Sequence, residues 1–144
     1  MSESTSVSVE VEAPLAEVAA ILSNIAGYPT WLSSIKKVEV VESDGEGRAI
    51  KANVSLDAGV MKDRATLIYD WSKAPEEISF TLDEADLMTT MDGMYSLKAI
   101  DGDTTHVTYQ LGVELSLPVP RMMISKTEKQ TIEQALKELQ AQFE

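Results

Sequence analysis

Between Ile35 and Leu117 the chain alternates apolar and polar residues in one run after another, and every such run needs a layer to cover its apolar side. Arg48 to Ala58 sets Ile50, Ala52, Val54 and Leu56 against Lys51, Asn53, Ser55 and Asp57. Lys62 to Trp71 turns Ala65, Leu67, Tyr69 and Trp71 to one side, and Ile78 to Leu82 does the same with Ile78, Phe80 and Leu82. Met91 to Ile100 groups Met91, Gly93, Tyr95, Leu97 and Ala99. Thr104 to Leu117 sets Val107, Tyr109, Leu111, Val113, Leu115 and Leu117 against His106, Thr108, Gln110, Glu114 and Ser116, and its length predicts a bend at Gly112. Ser6 to Glu12 and Ile35 to Glu42 complete the set of strands. Turn chemistry separates them: the Asp-Gly steps at Asp44-Gly45 and Asp101-Gly102, a turn around Pro75, and the acidic connection Asp83-Glu84-Ala85-Asp86.

Only one segment is long enough to cover so many strands. Pro120 to Phe143 reads as an amphipathic helix whose second half carries Ile132, Leu136, Leu139 and Phe143 in a narrow arc. Its first half breaks that stripe: Arg121, Ser125, Glu128 and Lys129 project on the same side, with Met122 and Ile124 at the flanks. Two readings stay open. The helix start either overhangs the sheet and is solvated, or it presents Arg121 or Lys129 as a polar handle at a cavity entrance. Near the N-terminus, Leu15, Val18, Ala19, Leu22 and Ile25 follow Pro14 at helical spacing until Gly27, and Tyr28 to Ser34 predicts a second short helix packed by Trp31. The order strand, helix, short helix, six strands, long helix argues an α+β layer fold with one face of an antiparallel sheet covered.

Composition removes several functions. At 144 residues the chain is expected to form one domain, residues 1–144. It has no cysteine and a single histidine, His106, so thiol chemistry is excluded, and neither a zinc or other transition-metal site nor any cofactor is predicted. Twenty-four acidic residues against 12 basic ones give a net charge of −12, which disfavours nucleic acid and anionic bilayers as partners. The absence of a long apolar run predicts no membrane insertion, and an N-terminus without a basic, apolar leader predicts a cytoplasmic protein. Oligomeric state is not legible.

Gly27-Tyr28-Pro29-Thr30-Trp31, the strand Met91-Asp92-Gly93-Met94-Tyr95-Ser96-Leu97 and the turn and strand Gly102 to Tyr109, taken with the element order, resemble the START/polyketide cyclase (SRPBCC) superfamily. The resemblance covers nearly the whole chain. It implies a helix-grip fold: a seven-stranded curved antiparallel sheet wrapped around a long C-terminal helix, two short helices between strands 1 and 2, and an apolar ligand cavity bordered by the early half of the long helix. A fold alone does not fix chemistry, so three functions follow as alternatives: binding or transport of a small hydrophobic molecule (a lipid, isoprenoid or polyketide-like compound), a polyketide cyclase/dehydrase-like enzyme, or an interaction module without a ligand.

The residues expected at such a cavity are Met61, Leu67, Tyr69, Met91, Tyr95, Tyr109, Met122, Ser125, Glu128 and Lys129. Methionine fits variable apolar shapes but also fills ordinary cores. Tyr69, Tyr95, Tyr109 and Glu128 are the groups a cyclase would have for guiding enolisation, although an inward tyrosine is also an ordinary core aromatic. No residue is assigned a catalytic role. His106, opposite the apolar set on its strand, is expected at the surface.

Overall fold

The computed structural model describes residues 4–58 and 61–144, Met61 by its backbone alone. Seven strands form one antiparallel sheet: β1 (Thr5–Val11), β2 (Ile35–Ser43), β3 (Ala49–Ala58), β4 (Met61–Asp70), β5 (Glu77–Ala85), β6 (Met88–Asp101) and β7 (Thr104–Leu115). Their spatial order, β1-β7-β6-β5-β4-β3-β2, makes β1 and β2 the two edges. Helix α1 (Leu15–Ser23) and a 3₁₀ turn (Ile25–Thr30) carry the chain from one edge to the other. Helix α2 (Arg121–Ala141) follows the last strand. This is the helix-grip architecture.

Strand pairing puts the inward residues in rows. Tyr69, Phe80, Gly93 and Leu111 stand opposite one another across β4 to β7, and Ile78, Tyr95 and Tyr109 form the next row. The tip of the Phe80 ring sits over Gly93: a Cβ there would lie 2.1 Å from Phe80 Cζ, so only glycine fits beneath the ring.

Several boundaries move. Asp83 to Ala85 is strand rather than connection, because β5 continues past a register shift to pair Glu84 and Ala85 with Thr66 and Ala65. The turn comes at Asp86-Leu87 and is held by buried Asp63, whose carboxylate accepts the N–H groups of Arg64, Asp86, Leu87 and Met88 at 2.7–3.1 Å. β7 pairs with β6 in unbroken register through Gly112, and the irregularities fall on β6 between Met88 and Thr90 and between Ala99 and Asp101. Helix α1 stops before Asn24, so Gly27 lies inside the 3₁₀ turn instead of ending a helix. That turn buries Ile25 and Tyr28, and Leu32 is buried just beyond it; Trp31 is half-buried and meets Tyr28 edge-on at 5.5 Å. The phenol of Tyr28 donates to the carbonyl of Leu22 at 2.5 Å, tying the turn back to α1.

Helix α2 packs along β1 and β7. Its buried residues are Ile124, Glu128, Ile132, Ala135, Leu136 and Leu139, a continuous stripe with one carboxylate in it. Glu128 has no exposed surface. One carboxylate oxygen accepts the hydroxyl of Thr5 at 2.9 Å and the guanidinium of Arg121 at 3.3 Å, and the other accepts the N–H of Val113 at 2.8 Å. Arg121 also donates to the carbonyl of Val113 at 3.1 Å. β1 starts with Thr5 opposite Leu111, and at Val113 the ladder positions on that side of β7 are filled by the side chains of Glu128 and Arg121. The break in the stripe is thus a polar clamp on the sheet edge, fully buried at Glu128 and partly exposed at Arg121, which accounts for the polar residues at 121 and 128 without a cavity mouth.

Candidate functional site

Because α2 leans on β1 and β7, the inner faces of β3 to β6 are left facing a space between sheet and helix. That space is lined by Leu56, Leu67, Tyr69, Phe80, Met91, Tyr95 and Tyr109 from the strands. Tyr28, Leu32 and Ile35 close it from the 3₁₀ turn and the start of β2, and Thr131 and Ala135 from α2. It is tightly filled, with a volume of about 30 Å³ open to the centre of a water-sized sphere. Ligand pockets usually offer roughly 300–1,000 Å³, so side chains must move before a molecule of any size enters.

All four tyrosines of the chain line this one cavity. Tyr95 and Tyr109 are cross-strand neighbours with rings stacked at 4.1 Å. Tyr69 stacks against Trp71 at 6.2 Å and leans on Phe80 at 5.9 Å. Burial pushes all four phenols above their ordinary value of 10.0, and proximity to one another pushes further on Tyr28, Tyr69 and Tyr95. At neutral pH each is an uncharged hydrogen-bonding group on an apolar wall. No Asp, Glu, Lys, Arg or His is among the described residues that line the cavity.

The cavity adjoins the surface along a seam between β3 and α2. Ser34, Ala58, Thr131 and Ala135 also line an outer cleft of about 170 Å³, whose other walls are Ser33, Asp57, Thr127, Gln130, Gln134 and Glu138. Glu138 accepts the N–H of Ser33 at 3.0 Å across this cleft. A larger depression, about 480 Å³, lies on the opposite face of the sheet among Lys37, Glu39, Arg64, Glu84 and Asp86. It is an open groove of solvated charges with none of the enclosure a small apolar molecule requires.

Five of the expected cavity residues meet there: Leu67, Tyr69, Met91, Tyr95 and Tyr109. Met122 and Lys129 are placed elsewhere, Met122 at 83% exposure and Lys129 exposed, because both fall on the side of α2 turned away from the sheet. Ser125 is half-buried outside the cavity, and Glu128 serves the clamp. The expectation for Met61 lies outside the described residues. His106 is half-buried on the outer face, between Glu10 and Lys98 on the neighbouring strands. Leu56 and Phe80 already carried a signal in the inward phase of their strands, whereas Tyr28 was hidden behind its neighbour Trp31. Thr131 and Ala135 were masked by the stronger apolar stripe beside them. Among the described residues no group of three His, Asp or Glu side chains is placed to hold a metal ion, and no helix is long and apolar enough to cross a membrane.

The model of a family described as polyketide cyclase/dehydrase and lipid transport matches residues 2–144. A START superfamily protein from Mycobacterium smegmatis superimposes with a TM-score of 0.90 at 25% identity, covering 97% of this chain and 96% of that one. The Zhui aromatase/cyclase from Streptomyces sp. R1128 gives 0.84 at 17% identity over 99% and 93% of the two chains. The major latex-like protein 151 of Panax ginseng gives 0.74 at 9% identity over 99% and 97%. A search of curated protein sequences finds no match. With the fold, the cavity and the family model in agreement over nearly its whole length, the chain belongs to the polyketide cyclase/dehydrase and lipid transport family of the START-like superfamily.

Proposed function

We propose that residues 1–144 act as a single domain that binds, and carries through the cytoplasm, a small hydrophobic molecule held between sheet and α2. The observation that supports this most is the convergence of all four tyrosines on one enclosed apolar space. Buried phenols spread through a core would each satisfy a separate local need. Four on one cavity supply polar atoms placed to orient a guest, the arrangement ligand sites use. Entry requires the wall to yield, and the flexible thioether of Met91 and the small side chains at the seam are where it yields at least cost. The test is native mass spectrometry of the purified protein before and after solvent extraction. A one-to-one apolar adduct that extraction removes and re-addition restores is expected. A protein that is always empty and takes up no uncharged fluorescent lipid refutes the reading.

Cyclase or dehydrase activity is the second reading, favoured by the stacked pair Tyr95 and Tyr109 on the cavity wall. An uncharged phenol there is able to donate to an enolising carbonyl. The carboxylate that would take the proton is missing from the described lining, so carriage is preferred.

A further inference from the structure

From the distribution of charge around the cavity we infer the class of its ligand: an uncharged, oxygen-bearing aromatic molecule, with fatty acids and phosphate-bearing lipids excluded. This rests on the cavity being the binding site. An anionic headgroup has two places to lie, inside the cavity or at its mouth, and both reject it.

Inside, the described lining offers no cation. A carboxylate or phosphate transferred there would lose its hydration and gain only neutral phenol donors, a poor exchange for a full charge. At the mouth the charged groups among the described residues are Asp57 and Glu138, both acids, with no Lys or Arg beside them. An anion whose tail fills the cavity would rest its head between two carboxylates, on a protein already carrying −12. Among the described residues neither end offers a fatty acid's carboxylate a cation.

The positive side of the inference comes from the rings. Tyr95 and Tyr109 present a stacked pair, and Tyr69, Phe80 and Tyr28 add further faces around the same space. Flat aromatic guests gain from such surfaces. Neutral hydroxyls pair with carbonyl and hydroxyl oxygens without either partner being charged.

The experiment compares 2-acetylnaphthalene with 2-naphthoate, the same bicyclic ring bearing a ketone or a carboxylate, and with laurate, by titration calorimetry at pH 7.5. The ketone is expected to bind at least about tenfold more tightly than either anion. Tyr95→Phe and Tyr109→Phe each weaken the ketone several-fold, and Asp57→Asn with Glu138→Gln narrows the gap to naphthoate. Naphthoate or laurate binding as tightly as the ketone overturns the ligand class while leaving the cavity as a binding site. If none of the three binds and no adduct is seen by mass spectrometry, the binding function falls with it.

Discussion

Glu128→Leu removes the acceptor from a buried cluster and keeps the side chain's bulk, so its effect is read from what is orphaned. The N–H of Val113 loses its 2.8 Å partner in a site with no exposed surface on Glu128. An unsatisfied buried donor costs about 1–3 kcal/mol. The hydroxyl of Thr5 loses its acceptor at the half-buried end of β1, adding about 0.5–1 kcal/mol. Arg121, whose side chain is 36% exposed, turns to water, so its share is small. Removal of the carboxylate's own desolvation cost offsets part of this. The net expectation is a loss of about 2–3 kcal/mol, or roughly 4–12 °C in melting temperature for a chain of this size. Urea denaturation followed by circular dichroism measures it, and an unchanged midpoint would refute the clamp.

A second variant separates two explanations of the same loss. Were Glu128 and Arg121 important only to each other, Arg121→Met with Glu128→Leu would restore stability, since a buried ion pair is often replaceable by well-packed apolar residues. Because both also serve the backbone of Val113, the double variant leaves that N–H and carbonyl without these partners. It is expected to stay at least about 1.5 kcal/mol below the parent. Full recovery would mean that the sheet edge does not need the clamp.

Gly93→Ala drives a methyl group into the Phe80 ring at 2.1 Å and is expected to cost about 1–3 kcal/mol by thermal melting, with Phe80→Leu in the same chain recovering most of it. Asp63→Asn puts an amide donor against backbone N–H groups; hydrogen exchange at Asp86, Leu87 and Met88 should accelerate at least about tenfold, and unchanged exchange there would show that the carboxylate does not hold the turn. All four phenols are raised above 10.0 by burial, so the folded state favours their protonated form. The stability this gives is fully present below pH 10, the unfolded value, and is lost as pH rises above it towards the folded values. Phenolate absorbance near 295 nm should therefore appear together with loss of the circular dichroism signal; a separate phenolate step at pH 10 in the folded protein would contradict it.

Much of the fold was legible because one physical rule governs it. Alternation with period two put Leu67, Tyr69, Met91, Tyr95 and Tyr109 on the covered face, and the sheet brings them together there. The rule failed where a residue's phase and its partner come from different parts of the chain. Glu128 stands on the buried face of α2, but the amide that makes burial tolerable belongs to Val113, and nothing local to residue 128 announces it. Met122 failed for the opposite reason: proximity in sequence to a polar helix start suggested a cavity rim, while its phase on α2 turns it outward to 83% exposure. The acidic run at Asp83 read as a turn by composition, yet pairing of Glu84 and Ala85 with β4 outweighed that preference.

The clamp and the cavity are parts of one arrangement. A helix covering a seven-stranded sheet by apolar contact alone would maximise burial by settling over its middle, where Tyr69, Phe80 and Tyr95 lie. Helix α2 instead packs along β1 and β7, and the directional bonds in its first two turns are made to the edge of that pair, at Thr5 and Val113. Directional bonds fix position where the hydrophobic effect, being non-directional, does not. The polar break in the stripe therefore holds the helix to one side and keeps the ringed space under β3 to β6 from being filled by α2 itself. On this argument weakening the clamp lets the helix slide inward, and a Glu128 variant that still folds should bind 2-acetylnaphthalene more weakly although Glu128 lies outside the cavity lining.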